Sequence, residues 1–292
     1  MDAITLRAMA KVNLNLRILD TLPDGYHTVR TVMQSVSLSD RITLRRQAQG
    51  ISLSCNRPYI PTDERNLAYK AVRALENCTG RELPVEIHMD KRIPTQAGLG
   101  GGSADCAAVL TGLNTLYGLG LKKARLLEAG ASLGADVPMC LLGGTRLGEH
   151  LGEQLSPLPA LPPCALLIVK PPFGVNTARA YAAYETAEIE PTPAPEETVQ
   201  ALKSGSLAGV CASLGNTFEQ LTDKRPFIEQ LKALLMDNGA LGALMTGSGS
   251  AVYGVFATTA AAQQARKAVP KNCARFLCHP VRMGIKMLRP GE

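Results

Sequence analysis

Between residues 6 and 19 the apolar Val12, Leu14, Leu16 and Ile18 alternate with Lys11, Asn13, Asn15 and Arg17. A period of two places successive side chains on opposite faces, so the pattern predicts a strand with one buried face and Lys11, Asn13 and Asn15 together on the other. Pro23-Asp24-Gly25 is a turn signal, and further strands are predicted at 29–38, 41–47 and 51–55, then a helix over 65–77. Residues 85–90 alternate again, Ile93-Pro94 ends that strand, and after a run of glycines residues 104–117 read as a helix closed by Gly118. The order is strand, glycine loop, helix. A second helix over 121–133 meets Gly134-Ala135-Asp136-Val137-Pro138, where Asp136 or a neighbour can cap a short helix whose first turn holds Pro138.

The proline-rich residues 156–163 predict a junction between two units, 1–155 and 156–292. After a strand at 165–169, residues 188–197 (EIEPTPAPEE) are acidic and proline-rich and predict an exposed loop. The remaining pattern predicts helix 226–238, strand 241–245, loop 247–250, strand 251–256, helix 260–268 and strand 274–278, a compact α+β unit. The class is α/β of the α+β kind, without internal repeat or low-complexity tract.

Composition narrows the function classes. At 292 residues, 46% hydrophobic and 19% charged, the chain suits two modest domains. Its net charge of +6 favours anionic ligands such as nucleoside phosphates, yet the basic residues form no run, which speaks against nucleic acid as a partner. No apolar stretch reaches the roughly 18 residues of a membrane span. The N-terminus shows no secretory pattern, so a soluble cytoplasmic protein is expected, as monomer or homodimer. Eight scattered cysteines without a C-x-x-C pair predict reduced thiols rather than disulfides or zinc.

The candidate chemistry begins at Pro94-Thr95-Gln96-Ala97-Gly98-Leu99-Gly100-Gly101-Gly102-Ser103-Ala104-Asp105, with four glycines in five positions just before a helix. Glycines remove Cβ bulk and allow positive φ, so consecutive N–H groups can converge on phosphate oxygens at the positive end of a helix. Ser103 can cap that helix or touch a phosphate. The Walker form is excluded because no Lys precedes Ser103, and the dinucleotide form because the sixth position from Gly98 is Ser103 rather than Gly. An unliganded flexible loop is the alternative, but four glycines cost roughly 0.5–1 kcal/mol each relative to Ala.

The loop resembles that of the galactokinase, homoserine kinase, mevalonate kinase and phosphomevalonate kinase (GHMP) superfamily, read as P-x-x-x-G-L-G-[SG]-[SG]-S. Three more segments, Ala10-Lys11-Val12-Asn13-Leu14-Asn15-Leu16, Asp24-Gly25-Tyr26-His27 and Leu133-Gly134-Ala135-Asp136-Val137-Pro138, narrow the resemblance to the 4-diphosphocytidyl-2-C-methyl-D-erythritol kinase family. With Thr246-Gly247-Ser248-Gly249-Ser250 it spans nearly the whole chain. The resemblance implies a two-domain GHMP-kinase fold: an N-terminal ribosomal-protein-S5-like ATP-binding domain, a C-terminal ferredoxin-like α+β domain, and the active site in the cleft. It also implies transfer of the ATP γ-phosphoryl group to the 2-hydroxyl of the methylerythritol unit, in the non-mevalonate route to isoprenoid precursors.

By the same resemblance Asp136 is the catalytic base, since an ionised aspartate can take the hydroxyl proton, and Lys11 is the catalytic lysine that positions it and offsets developing charge. Read alone, Asp136 is as well a helix cap and Lys11 an exposed strand lysine. The resemblance assigns ATP binding to Pro94 through Ala104 and to Asn66, Leu67 and Lys91; as alternatives Asn66 is an N-cap and Lys91 an exposed charge. It assigns substrate binding to Asn13, to Tyr26 and His27 as cytosine-recognising residues, and more loosely to Thr177 and Tyr181. A helix-packing aromatic competes for Tyr181. Gly247, Ser248 and Gly249 would close over the phosphates or simply turn a hairpin. ATP is the implied co-substrate and Mg²⁺ is expected, with no carboxylate ligand evident. The chain departs from the family pattern at Ala104, where a second serine is usual, and at Gln96-Ala97, which is less glycine-rich. Alternatives to this activity are another GHMP kinase acting on homoserine or a mevalonate derivative, against which Tyr26-His27 argues, and a non-catalytic nucleotide or ligand sensor.

Overall fold

The computed structural model describes residues 2–23 and 25–289; Asp24, the centre of the turn signal, lies outside them. The chain begins with an antiparallel hairpin of two long strands, β1 (Ala3–Thr21) and β2 (His27–Arg46), followed by β3 (Ile51–Cys55), α1 (Leu67–Thr79), β4 (Val85–Asp90) and α2 (Gly101–Leu116). Next come α3 (Lys123–Leu133), α4 (Val137–Leu142), β5 (Thr145–Glu149), β6 (Gln154–Pro157) and β7 (Ala165–Lys170). Then follow α5 (Thr177–Tyr184), α6 (Pro195–Lys203), α7 (Leu207–Ala212), β8 (Gly215–Asn216), α8 (Arg225–Asp237), β9 (Gly242–Met245), β10 (Val252–Phe256), α9 (Thr259–Ala268), β11 (Ala274–Cys278) and β12 (Ile285–Met287).

The first sheet runs β12-β1-β2-β4-β3, with β5 and β6 extending from β2, and β8 joining β1. The helix α2 lies against β1 and β2 through small residues. Ala104, Cys106, Ala107 and Ala108 are fully buried, and at Gly112 a Cβ would stand 2.5 Å from Leu44 Cδ1 and 2.9 Å from Leu6 Cδ1. In a chain without Trp, these small residues let helix and sheet approach closely. The second sheet, β11-β7-β10-β9, is antiparallel throughout. Its strands and the helices α8 and α9 follow the order β7-α8-β9-β10-α9-β11, the split βαβ arrangement of ferredoxin-like units. The chain end returns as β12 to pair with β1.

Three expectations need correction. The strands predicted at 29–38 and 41–47 are one strand, because Asp40 does not break it: its carboxylate is buried, accepts the N–H groups of Arg92 and Ile93, and pairs with the Lys91 ammonium. The loop predicted at 188–197 ends in the first turn of α6, where Pro195 begins the helix and Glu197 Oε1 accepts the Ala194 N–H at 2.9 Å. Proline and acidic residues at that end are helix-start chemistry as much as loop chemistry. Finally, the polar face of β1 is not solvated. Lys11, Asn13 and Asn15 are 4%, 1% and 0% exposed, because the second unit covers them. Asn15 Nδ2 donates to the carbonyls of Pro193 and Ser213, and the fully buried Tyr253 donates its hydroxyl to the Asn13 carbonyl at 2.8 Å.

That last bond ties the second sheet to β1 away from water, where an unpaired carbonyl is expensive. Tyr253→Phe is expected to lower the unfolding free energy by about 1–2 kcal/mol in urea titration. An unchanged midpoint would show that the bond contributes nothing.

Candidate active site

Between β4 and α2 the glycine-rich segment crosses beneath the β9–β10 turn, and its carbonyls are taken up by the scaffold behind it. The carbonyl of Gln96 accepts from Ser250 N, that of Ala97 from Ala251 N, that of Gly98 from the Thr246 hydroxyl and that of Leu99 from Lys11 N. By contrast, no N–H from Thr95 to Ser103 donates to another protein group among the described residues. Donors without protein acceptors at the start of a helix form an anion cradle. Two glycines are sterically required. At Gly98 (φ +73°) a Cβ would fall 1.9 Å from the Thr246 carbonyl oxygen; at Gly100 (φ +68°) it would meet Lys11 Cγ at 3.1 Å and Asp136 Oδ2 at 3.8 Å. Gln96 holds φ +50° without being glycine, and its side chain lies where a Cβ on Gly174 would be, 2.3 Å from Oε1.

Beside the cradle, Lys11 Nζ lies 3.3 Å from Asp136 Oδ2 and donates to Asn13 Oδ1 at 2.9 Å. Asp136 stands at the N-cap position of α4, but its side chain makes no cap hydrogen bond; it turns to Lys11 instead. The Lys11 side chain is 5% exposed and that of Asp136 38%, so the lysine lies beneath and the carboxylate faces the cleft. Asn13 is fixed on three sides: its N–H donates to Thr246 Oγ1, its Nδ2 to Thr31 Oγ1, and its Oδ1 shares the Thr246 hydroxyl proton with the Gly98 carbonyl.

These groups line a cleft of about 1410 Å³, which also takes in Tyr26, His27, Thr177, Tyr181 and residues 247–249. At its far end His27 is buried, with Tyr181 stacked on it at 5.1 Å and Tyr184 edge-on at 5.4 Å, while Tyr26 stands 63% exposed. Glu185 Oε1 meets His27 Nε2 at 2.6 Å, which orients the ring. Burial and the charge of Asp136 push the Tyr181 phenol up to about 12. Thr177 Oγ1 shares a 2.7 Å hydrogen bond with Ser248 Oγ, so α5 and the β9–β10 turn meet over the cleft, and residues 247–249 are both a hairpin turn and part of its wall.

Three residues expected at the ATP site sit elsewhere than on the cleft wall. Asn66 is the N-cap of α1, its Oδ1 accepting from Ala68 N at 2.9 Å, and neither it nor Leu67 lines the cleft; Leu67 Cδ1 stands 3.8 Å from the Cβ position at Gly102. Ala104 is fully buried inside α2. Lys91 borders the cleft yet is not the exposed charge of the alternative reading: it is 4% exposed, and its ammonium contacts Asp40 and, at 2.5 Å, Asp105. Asp40 and Glu185 stand in no motif read from the sequence, and Asp105 and Thr246 stand there only as the end members of the two glycine motifs, without a role of their own. Asp105 carried a signal, as a carboxylate within Ala104-Asp105-Cys106-Ala107-Ala108; Glu185, remote in sequence from His27, carried none.

Among the described residues no cluster of three metal-ligating side chains occurs. Of the carboxylates lining the cleft, Glu153 pairs with His150 and Glu185 with His27, which leaves Asp136 at the phosphate end. That donor set fits a hard cation held mainly by phosphate and water oxygens rather than by a protein cage.

Known families and structures agree with this geometry. The GHMP kinases N terminal domain matches residues 66–144 and the GHMP kinases C terminal domain residues 198–275. The chain is 45% identical to a 4-diphosphocytidyl-2-C-methyl-D-erythritol kinase of Moorella thermoacetica, over 88% of this chain and 91% of the relative. It is 43% identical to the kinase of the same name from a Synechococcus strain, over 96% and 91%. Among solved structures, a 4-(cytidine 5'-diphospho)-2C-methyl-D-erythritol kinase superposes with a TM-score of 0.81 at 32% identity, over 95% of this chain and 99% of that one. A homoserine kinase from Cytophaga hutchinsonii superposes at 0.74 with 22% identity, over 99% and 98%, a likeness of fold.

The backbone contact at Gly98 provides a test of the cradle. Gly98→Ala puts a methyl group into a carbonyl that cannot retreat and strains a left-handed φ, and is expected to weaken ADP binding at least about tenfold by calorimetry, since strain of about 1–3 kcal/mol is involved. Unchanged affinity would show that the loop does not depend on this contact.

Proposed function

This chain belongs to the 4-diphosphocytidyl-2-C-methyl-D-erythritol kinases of the GHMP kinase family, and on that premise we propose that it transfers the γ-phosphoryl group of ATP to the 2-hydroxyl of 4-diphosphocytidyl-2-C-methyl-D-erythritol. The products are the 2-phosphate and ADP, within the non-mevalonate route to isopentenyl diphosphate. The observation that carries the reading is the adjacency of cradle and base: a Cβ on Gly100 would lie only 3.8 Å from Asp136 Oδ2. An acceptor hydroxyl at Asp136 would therefore stand next to a phosphate held by the loop.

In this reading the N–H groups of residues 95–103 hold the phosphates of ATP, with Pro94 through Ala104 forming the loop, Asn66 and Leu67 bordering it and Lys91 supporting it. Asp136 accepts the proton of the 2-hydroxyl as the new P–O bond forms, so the alkoxide never has to exist free. Lys11, held against Asp136 and Asn13, keeps the carboxylate aimed and offsets negative charge that develops between acceptor and phosphoryl group. Asn13 hydrogen-bonds the methylerythritol hydroxyls. Tyr26 and Tyr181 flank the cytosine, His27 hydrogen-bonds it, Thr177 reaches the ribose, and Gly247, Ser248 and Gly249 cover the phosphate end. Mg²⁺, if bound with ATP at the end of the cleft where Asp136 stands, would supply charge neutralisation to the phosphates. A division near residue 156 goes with this reading, each part contributing one wall of the cleft. A cytoplasmic location, with neither nucleic acid nor membrane as partner, is part of this proposal, and eight free thiols suit such a reducing compartment; among the described residues no helix is long and apolar enough to cross a membrane.

Asp136→Asn keeps the shape and removes the base. It is expected to lower kcat for substrate-dependent ADP release about 10²–10⁴-fold. Full activity in this variant, or no substrate-dependent ADP release by the wild type, overturns the reading.

A further inference from the structure

Beneath the phosphate loop lies a knot of three ionisable side chains that the transfer step does not use. Asp40, on β2 and fully buried, accepts the N–H of Arg92 at 2.5 Å and of Ile93 at 2.8 Å through Oδ1, where the chain enters the loop. Its Oδ2 takes the Lys91 ammonium. The same ammonium takes Asp105 Oδ2 at 2.5 Å, on α2, where the chain has left the loop. Entrance and exit are thus joined through one nitrogen, which also lies only 3.5 Å from the Cβ position of Gly101. Two carboxylates and one ammonium taken out of water gain little stability, since desolvation offsets their attraction. What such a knot can supply is a single geometry.

We propose that Lys91, Asp40 and Asp105 are positioning residues that hold the two ends of the ATP loop in register, and that Lys91 acts on ATP only through this knot. The inference rests on the reading of the loop as the site of the ATP phosphates. Burial pushes the Asp105 carboxyl up to about 8 in spite of Lys91, with Asp40 adding to the push; burial works to lower Lys91, and Asp105 and Asp40 outweigh it. The other titratable groups facing the knot are the thiols of Cys55, Cys106 and Cys140, all pushed up by burial, Cys106 to about 12, and so neutral over the working range. Buried beside Asp40, the Asp105 carboxyl holds a proton more readily than a free aspartate, which lowers the negative charge of the knot. As pH rises that proton is lost and a negative charge is left beneath donors aimed at phosphate. Affinity for ATP should fall on the alkaline side.

The test is kcat and both KM values at pH 7 and pH 9 for wild type, Lys91→Met, Asp105→Ala and Asp105→Asn, with circular dichroism to verify folding. Lys91→Met and Asp105→Ala are expected to raise KM for ATP at least about tenfold with kcat and the acceptor KM little changed. Asp105→Asn, which mimics the neutral acid, is expected to restore KM to within about threefold at pH 7 and to lack the wild-type rise at pH 9. A loss confined to kcat in Lys91→Met would make the ammonium a group acting on the reacting phosphate and overturn the proposal. So would KM values equal to wild type in both alanine and methionine variants; if Lys91→Met does not fold, the Asp105 pair decides alone. A wild type that binds no ATP would overturn the reading of the loop and this inference with it, whereas ATP binding with indifferent variants overturns this inference only.

Discussion

At the centre of the molecule two backbone segments touch. The Cα of Gly98 lies against the Thr246-Gly247 peptide of the β9–β10 turn so closely that a single added carbon would come within 1.9 Å of a carbonyl oxygen. Much else follows from that approach. It brings the Thr246 hydroxyl within reach of the Gly98 carbonyl and of Asn13, and sets the neighbouring Ala251 N–H on the Ala97 carbonyl. The carbonyls of the loop are thereby consumed on the scaffold side, and the N–H groups are left for the cleft. A loop merely rich in glycine has no such orientation; one pinned by its carbonyls has a preorganised array of donors, the kind of electrostatic arrangement that needs little rearrangement when charge arrives.

The same contact buries the polar face of β1. Strand periodicity gave the right residues to one face, since Lys11, Asn13 and Asn15 do act together, but a strand pattern cannot tell water from a second sheet. Tyr253, Ser213 and Thr246, each about 200 residues or more away along the chain, pair with the Asn13 carbonyl, Asn15 Nδ2 and the Asn13 N–H, while Asn15 Oδ1 is buried without a hydrogen-bond partner among the described residues. The helices and strands between residues 225 and 278 were legible because their apolar periods and breakers are local, whereas α6, α7, β8 and β12 were not read from the sequence. The helix α5 and residue Glu185 were not, because α5 is short and Glu185 is defined by its partner His27. Lys91 departs from its alternative reading, an exposed charge at a strand end, because Asp40 and Asp105, brought in from two other elements, make it a buried ion. Ala104 and Gln96-Ala97, departures from the family pattern, are accommodated by helix burial and by Gly174.

Fold and specificity part company along the cleft. The fold is shared with a homoserine kinase at 22% identity, so the fold alone does not set the acceptor. At the end of the cleft away from the phosphate loop, His27 is enclosed by Tyr181, Tyr184 and Glu185. A planar, hydrogen-bonding base suits an aromatic enclosure with one oriented imidazole better than a small amino acid or an aliphatic acid does.

In the proposed reaction the phosphoryl group passes to a hydroxyl of the cytidine diphosphate substrate held at Asp136. It is tested most directly by ³¹P NMR of the reaction of ATP with 4-diphosphocytidyl-2-C-methyl-D-erythritol. A new phosphomonoester resonance growing in step with ADP, with the cytidine diphosphate resonances intact, is the predicted result. Inorganic phosphate in place of the monoester, or an equal monoester yield from homoserine or mevalonate, would contradict it.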